Sequence, residues 1–170
     1  MKFKKDILVI DFEGGHYGPK QIGAVLLDKE TLDEKDRFCC YMYLDMQGIP
    51  SMKSGITQDT LDNAPSRVEV AKRFYEKFGT NIFLASFVSD LDIQHLRTII
   101  NEAGINSPEY DYHILDIWPL AYTYLLKRGY EGNADSESIF RAFGFAPRGN
   151  HNALEDARIA AGILRKIIFD

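Results

Sequence analysis

Apolar residues run almost unbroken through KDILVIDFE, residues 5–13, and stop at acids. That pattern predicts a central strand covered on both faces. QIGAVLLD at 21–28 and DRFCCYMYLD at 36–45 predict two further strands, set apart by the turn-rich GGHYGPK and the charged KETLDEKD. Links this short join antiparallel neighbours, so the first part of the chain reads as a meander. The period then changes. SGITQDTLDNAPSRVEVAKRFYEKF reads as two helices divided by Pro65, NIFLASF as a strand, and SDLDIQHLRTIINEAG as a helix ending at Gly104. DYHILDI predicts a fifth strand, followed by helical patterns at WPLAYTYLLKRG, DSESIFRAFG and the C-terminal segment. The expected fold is α/β, with a five-stranded mixed sheet: a three-strand antiparallel meander plus two strands in βα units, flanked by helices.

The 170 residues, 45% of them apolar, suit one domain spanning 1–170 with a substantial core. No apolar run approaches the roughly 18 residues that span a bilayer, and MKFKKDILVIDFE meets acids instead of a signal-peptide cleavage region. These features predict a cytoplasmic protein with no membrane partner. Cys39 and Cys40 are adjacent in a strand and point to opposite faces, which predicts reduced core or near-core thiols and no mutual disulfide. A net charge of −5 supplies no basic footprint for non-specific nucleic-acid binding, yet it leaves room for an enzyme whose gathered acids hold divalent cations.

The acids can be sorted by where they point. Asp11 and Glu13, two apart at a strand end, emerge on one face while Phe12 takes the other. Along SDLDIQHLRTII, at about 100° per residue, Leu96, Ile99 and Ala103 fall within about 40° of Asp92, whereas Asp90 lies near Gln94 and Arg97 at about 160°. Asp92 is therefore on the apolar side, although Ser89 three residues earlier could draw it into a capping box. In HNALEDARIAAGIL, with Leu154 at zero, Glu155 lies at about 100° among Arg158, Gly162, Arg165 and Lys166, and Asp156 at about 200° with Ala160, Ile163 and Ile167. Glu155 is predicted on the surface and Asp156 inward. A buried carboxylate is costly without a partner, and no comparable cluster of inward Lys or Arg is evident. Divalent metal is the natural partner, and oxygen ligands favour Mg²⁺ or Mn²⁺ over zinc.

D-F-E at Asp11–Glu13, L-D-I-x-x-L from Leu91 to Leu96, and H-N-A-L-E-D from His151 to Asp156 resemble the three exonuclease motifs of the DEDDh 3′-to-5′ exonucleases, in the DnaQ-like or ribonuclease-T-like group. SGIT followed by DNAPSRVEV resembles the segment these enzymes carry between the first two motifs. The resemblance implies a ribonuclease H-like fold in which Asp11, Glu13, Asp92 and Asp156 hold two Mg²⁺ (or Mn²⁺) ions, with Asp11 bridging. It implies that His151, whose side chain has an ordinary pKa near 6.5, is the general base for in-line hydrolysis of the terminal phosphodiester. Substrates would be single-stranded RNA or DNA 3′ ends and products nucleoside 5′-monophosphates. Two positions depart from the pattern. Gly14 and Gly15 stand where many relatives have threonine first, so a side-chain contact to the terminal nucleotide is missing or replaced by backbone at Gly14. Val88 stands where an asparagine often precedes the second motif, which leaves Asp90 as the alternative to Asp92.

His16 and Tyr17 are further candidate substrate contacts, Tyr17 by stacking on a terminal base. His113 reads as a sheet residue, Asp116 as an outlying support for the acids, and His95 has no assigned role. Two other function classes bear weighing. A receiver-like, phosphoryl-accepting domain would also end a strand in acids, but it requires a helix directly after that strand. A catalytically silent nucleic-acid-binding module would share the fold, against which stand the intact acids and His151.

Overall fold

The computed structural model describes residues 3–47, 54–105 and 110–170. Strands β1 (Ile7–Glu13), β2 (Gln21–Leu27), β3 (Glu34–Tyr41), β4 (Phe83–Ser86) and β5 (Leu115–Asp116) form a five-stranded sheet in the order β3-β2-β1-β4-β5. The β1–β2 and β2–β3 pairs are antiparallel and the β1–β4 and β4–β5 pairs parallel, which is the predicted mixed sheet. Helices α1 (Gln58–Asp62), α2 (Arg67–Phe78), α3 (Ser89–Glu102), α4 (Ile117–Leu126), α5 (Ser136–Ala142) and α6 (Ala153–Phe169) complete the described elements. Only a 3₁₀ turn, Gly15–Tyr17, separates β1 from β2, so the helix that a receiver-like fold requires there is absent.

The side-chain alternation of β1 divides the core in two. Ile7 and Val9 pack with Val25, Leu27 and residues of α4, α5 and α6, while Leu8, Ile10 and Phe12 pack with Ile22, Ala24 and residues of α2 and α3. Asp11 and Glu13 continue the parity of Ile7 and Val9, which directs them toward the α6 side. Local chemistry starts and stops the helices at the expected places. Ser66 and Glu69 form a reciprocal capping box at the start of α2, and Gly79, at φ 59°, ends that helix.

The differences from expectation lie mostly at the sheet edges. DYHILDI contributes only Leu115 and Asp116 to the sheet. His113 is not a sheet residue: it is exposed, and its ring and backbone N–H both meet Asp111 Oδ1 at 3.0 Å. Edge strand β3 starts within the charged segment, at Glu34, and its outer position leaves Cys39 exposed and Cys40 half-buried, so Cys39 is not a core thiol. Among the described residues, no helix is long and apolar enough to cross a membrane.

Two features of the sheet prepare a site at the end of β1. First, β4 pairs with β1 only as far as Ile10↔Ser86, so β1 runs on through Asp11, Phe12 and Glu13 with β2 on one side and no strand on the other. Second, Gly23 lies opposite Asp11 on β2, and a Cβ there would sit 2.1 Å from the Ala153 carbonyl carbon and 2.2 Å from Leu154 N. The absence of a side chain lets the first turn of α6 lie directly against the strand.

Candidate active site

Asp92 occupies the gap beside β1. Its Oδ1 accepts the Phe12 backbone N–H at 3.0 Å, the amide left without a ladder partner where β4 ends, and its Oδ2 accepts a hydrogen bond from Ser86 Oγ. The capping box with Ser89 does not form: Val88 is the N-cap residue, with no side-chain cap. Asp92 is 5% exposed whereas Asp90 is exposed, so of the two only Asp92 faces inward.

On the opposite side, the start of α6 is tied down by polar contacts. Asn152 Oδ1 caps the helix by accepting from Leu154 N at 3.1 Å and Glu155 N at 3.3 Å, and the buried Gln21 accepts from Ala153 N at 3.1 Å. With Asn152 as cap, His151 is released from that duty, and its Nδ1 stands 3.9 Å from Glu13 Oε1 and 3.9 Å from Asp156 Oδ2. Glu13, His151 and Asp156 each present a ligand atom within 4.8 Å of the others. Asp156 is 5% exposed, while Glu155 is exposed and pairs with Arg158 at 3.0 Å. Helical phase therefore separated these neighbouring acids correctly.

The structure thus brings Asp11, Glu13, Asp92, His151 and Asp156 together. Burial, and after it mutual repulsion, shows in the protonation of the acids. Burial, followed by Asp92, Asp156 and Glu13, pushes the Asp11 carboxyl well above the usual range, with Arg148 opposing. Burial and then Asp156 push Glu13 from 4.5 up to about 7. Burial raises Asp92 against the hydrogen bonds from Ser86 and Phe12, with Asp156 and Asp116 adding to the rise. Asp116, the N-cap residue of α4, thus acts on the site through charge; its own Oδ1 is buried with no hydrogen-bond partner among the described residues.

Two cations, Arg148 and Lys20, nevertheless stand near these acids. Arg148 Nη1 donates to Asp156 Oδ2 at 2.7 Å, and this contact opposes the burial that raises the Asp156 carboxyl. Lys20 is fully buried; burial lowers its amine and Glu13 raises it. Arg148, Ser86 and Gln21 were not singled out from sequence. A polar residue at a buried strand end signals Ser86, but Arg148 lies in a loop where no periodicity assigns a direction.

The turn after β1 holds the other candidates. Gly14, at φ 151°, is buried, and a Cβ there would lie 2.0 Å from Gly18 O, so its evident role is to close the turn. His16 and the 53%-exposed Tyr17 border a 260 Å³ cavity shared with Arg67, Gln94 and Thr98. His95 also borders it; the residue is buried, its ring tilted 5.6 Å from that of Phe12, with Nε2 lacking a hydrogen-bond partner among the described residues.

A pH dependence follows from the Glu13 shift. Between its ordinary value of 4.5 and about 7 the folded protein holds a proton that the unfolded chain has released, so stability falls as pH rises through that window. In EDTA, the melting temperature should drop between pH 5.5 and pH 8, and Glu13→Gln should flatten that drop. A wild-type slope unchanged by Glu13→Gln would contradict the assignment.

A family model described as Exonuclease, of the RNase_T type, matches residues 8–164. The chain belongs to this exonuclease family. Protein NEN4 of Arabidopsis thaliana is 26% identical to this exonuclease over 174 residues, covering 96% of this chain and 67% of the plant protein. The PolC-type DNA polymerase III of Thermotoga petrophila is 25% identical over 166 residues, covering 95% of this chain and only 12% of the polymerase. Among solved structures, the nuclease domain of 3′hExo, a DEDDh family member bound to rAMP, has a TM-score of 0.72 at 21% identity and covers 99% of this chain and 94% of its own. E. coli exonuclease I in complex with a dT13 oligonucleotide has a TM-score of 0.77 at 16% identity, covering 98% of this chain and 41% of that one. The chain therefore shares the fold of these nucleases and spans less than half of exonuclease I.

Proposed function

We propose that this exonuclease hydrolyses phosphodiester bonds at the 3′ ends of single-stranded RNA or DNA, using two Mg²⁺ or Mn²⁺ ions and releasing nucleoside 5′-monophosphates. The observation that carries the reading is the convergence of four carboxylates from β1, α3 and α6, two of them 3.9 Å from His151, in a place where burial holds the acids above their ordinary range. Such a cluster fits divalent cations, because an all-oxygen set suits hard ions and unneutralised charge favours their entry. Asp11, Glu13, Asp92 and Asp156 would hold the ions. When bound, they supply electrostatic stabilisation of the attacking and leaving oxygens.

The remaining steps fall to the chain's own groups. His151 is oriented toward Glu13 and Asp156, so its Nδ1 faces the reacting centre and can take the proton of the attacking water. Ser86 and the Phe12 amide orient Asp92 through both of its oxygens. Tyr17 offers an exposed ring on which a terminal base can stack, and His16 offers a polar contact beside it. The Gly14 backbone, held against Gly18, shapes the turn that presents both.

Digestion of end-labelled single-stranded and duplex RNA and DNA with Mg²⁺, Mn²⁺ or EDTA tests this directly. The expected result is progressive shortening from the 3′ end that stops in EDTA and is lost in Asp11→Ala. In His151→Ala the rate should fall by about 10²- to 10⁴-fold, the usual contribution of a general base. Absence of metal-dependent shortening on every substrate would refute the assignment.

A further inference from the structure

Arg148 is held from three directions. Its side chain is 14% exposed; Nη1 donates to Asp156 Oδ2 at 2.7 Å and Nε to Glu137 Oε2 at 3.1 Å. The guanidinium also lies over the Phe140 ring, 4.7 Å from its centroid. Glu137 and Phe140 both belong to α5, and neither is part of the acid cluster. Helix α5 therefore provides a seat, one carboxylate and one aromatic face, which can hold the guanidinium without Asp156.

That division has a chemical meaning. Asp156 Oδ2 is an atom the proposed site needs, and a guanidinium can only donate to it. The bond Arg148 makes there, and the positive charge it places near Glu13 and Asp11, both oppose an incoming dication. Resting on the reading that Asp156 takes a divalent ion, we propose that Arg148 is an exchangeable counter-ion: it neutralises Asp156 in the metal-free protein, withdraws to its Glu137–Phe140 seat as the ion enters, and so sets metal affinity. It is a positioning residue, acting through Asp156.

The test is Mn²⁺ binding by the EDTA-treated, desalted full chain, with free Mn²⁺ read by electron paramagnetic resonance and no substrate present. Arg148→Gln should bind about tenfold more tightly than wild type, since a charge-assisted hydrogen bond no longer has to be broken. Arg148→Lys, which keeps the charge but cannot bridge Asp156 and Glu137 in the same way, should fall between them. Equal or weaker binding by Arg148→Gln overturns the proposal while leaving the metal site standing. A wild-type protein that takes up no Mn²⁺ overturns both. Should Arg148→Gln fail to fold, the wild type still answers: Mg²⁺ should release the restricted Nη rotation of Arg148 in arginine-detected NMR, with the signal identified by its loss in Arg148→Lys. Rotation unaffected by saturating Mg²⁺ refutes the exchange.

Discussion

Asp156→Ala is expected to lose metal-dependent hydrolysis on the order of 10³-fold, because several kcal/mol of charge stabilisation depend on the ions and each ~1.4 kcal/mol is tenfold in rate. Glu155→Ala, one residue away, should stay within about twofold of wild type, as surface substitutions generally do. The contrast rests on the faces the two acids occupy: Asp156 is buried against the site, while Glu155 faces solvent beside Arg158. Stability distinguishes the loss from misfolding. Asp156 raises both Asp11 and Glu13, so its removal relieves a repulsion, and Arg148 retains Glu137 as a partner. Single-turnover rates with melting in EDTA would measure both effects. Equal rate losses for the two substitutions would show that helical phase does not decide which acid works.

Gly23→Ala should be a strongly damaging single-methyl change. The added carbon would meet backbone, 2.1 Å from the Ala153 carbonyl carbon and 2.3 Å from its oxygen, and backbone cannot rotate out of the way as a side chain can. Overpacking costs about 1–3 kcal/mol, and this contact belongs at the upper end. For a chain of this size that lowers the melting temperature by about 6–12 °C. Relief requires the start of α6 to move away from β2, taking His151 and Asp156 with it. Misplacement by about 1 Å can cost on the order of 10²-fold in rate, so activity should fall even well below the melting temperature. Gly149→Ala is the control: a Cβ at Gly149 meets nothing within 4 Å, and both properties should be close to wild type. A fully active and stable Gly23→Ala would mean that α6 does not depend on this approach.

These two substitutions also mark the boundary between local and long-range information. The inward turn of Asp156 and Asp92 and the common face of Asp11 and Glu13 were legible, because each follows from a repeat of two or 3.6 residues along one element, and the mixed sheet was legible from short links and the order of strands and helices. Gly23 reads only as a small residue in a strand until α6 is placed against it. The capping box that the Ser89 spacing allowed illustrates the same limit: Asp92 instead bonds the Phe12 amide and Ser86, because β4 stops short of the end of β1. Strand lengths in a parallel pair are a property of the sheet.

The sequence by itself determined which acids face inward, the order in which they occur and the histidine that accompanies them. The tertiary structure decided what those acids meet. Arg148 on Asp156, Gln21 at the start of α6, and the open flank of β1 that receives Asp92 all depend on where a loop or a strand end falls in space. Periodicity assigns a direction to a side chain on a regular element and none to one on a loop; loop position is set by packing between segments far apart in the chain, as Gln21 and Ala153, 132 residues apart, show.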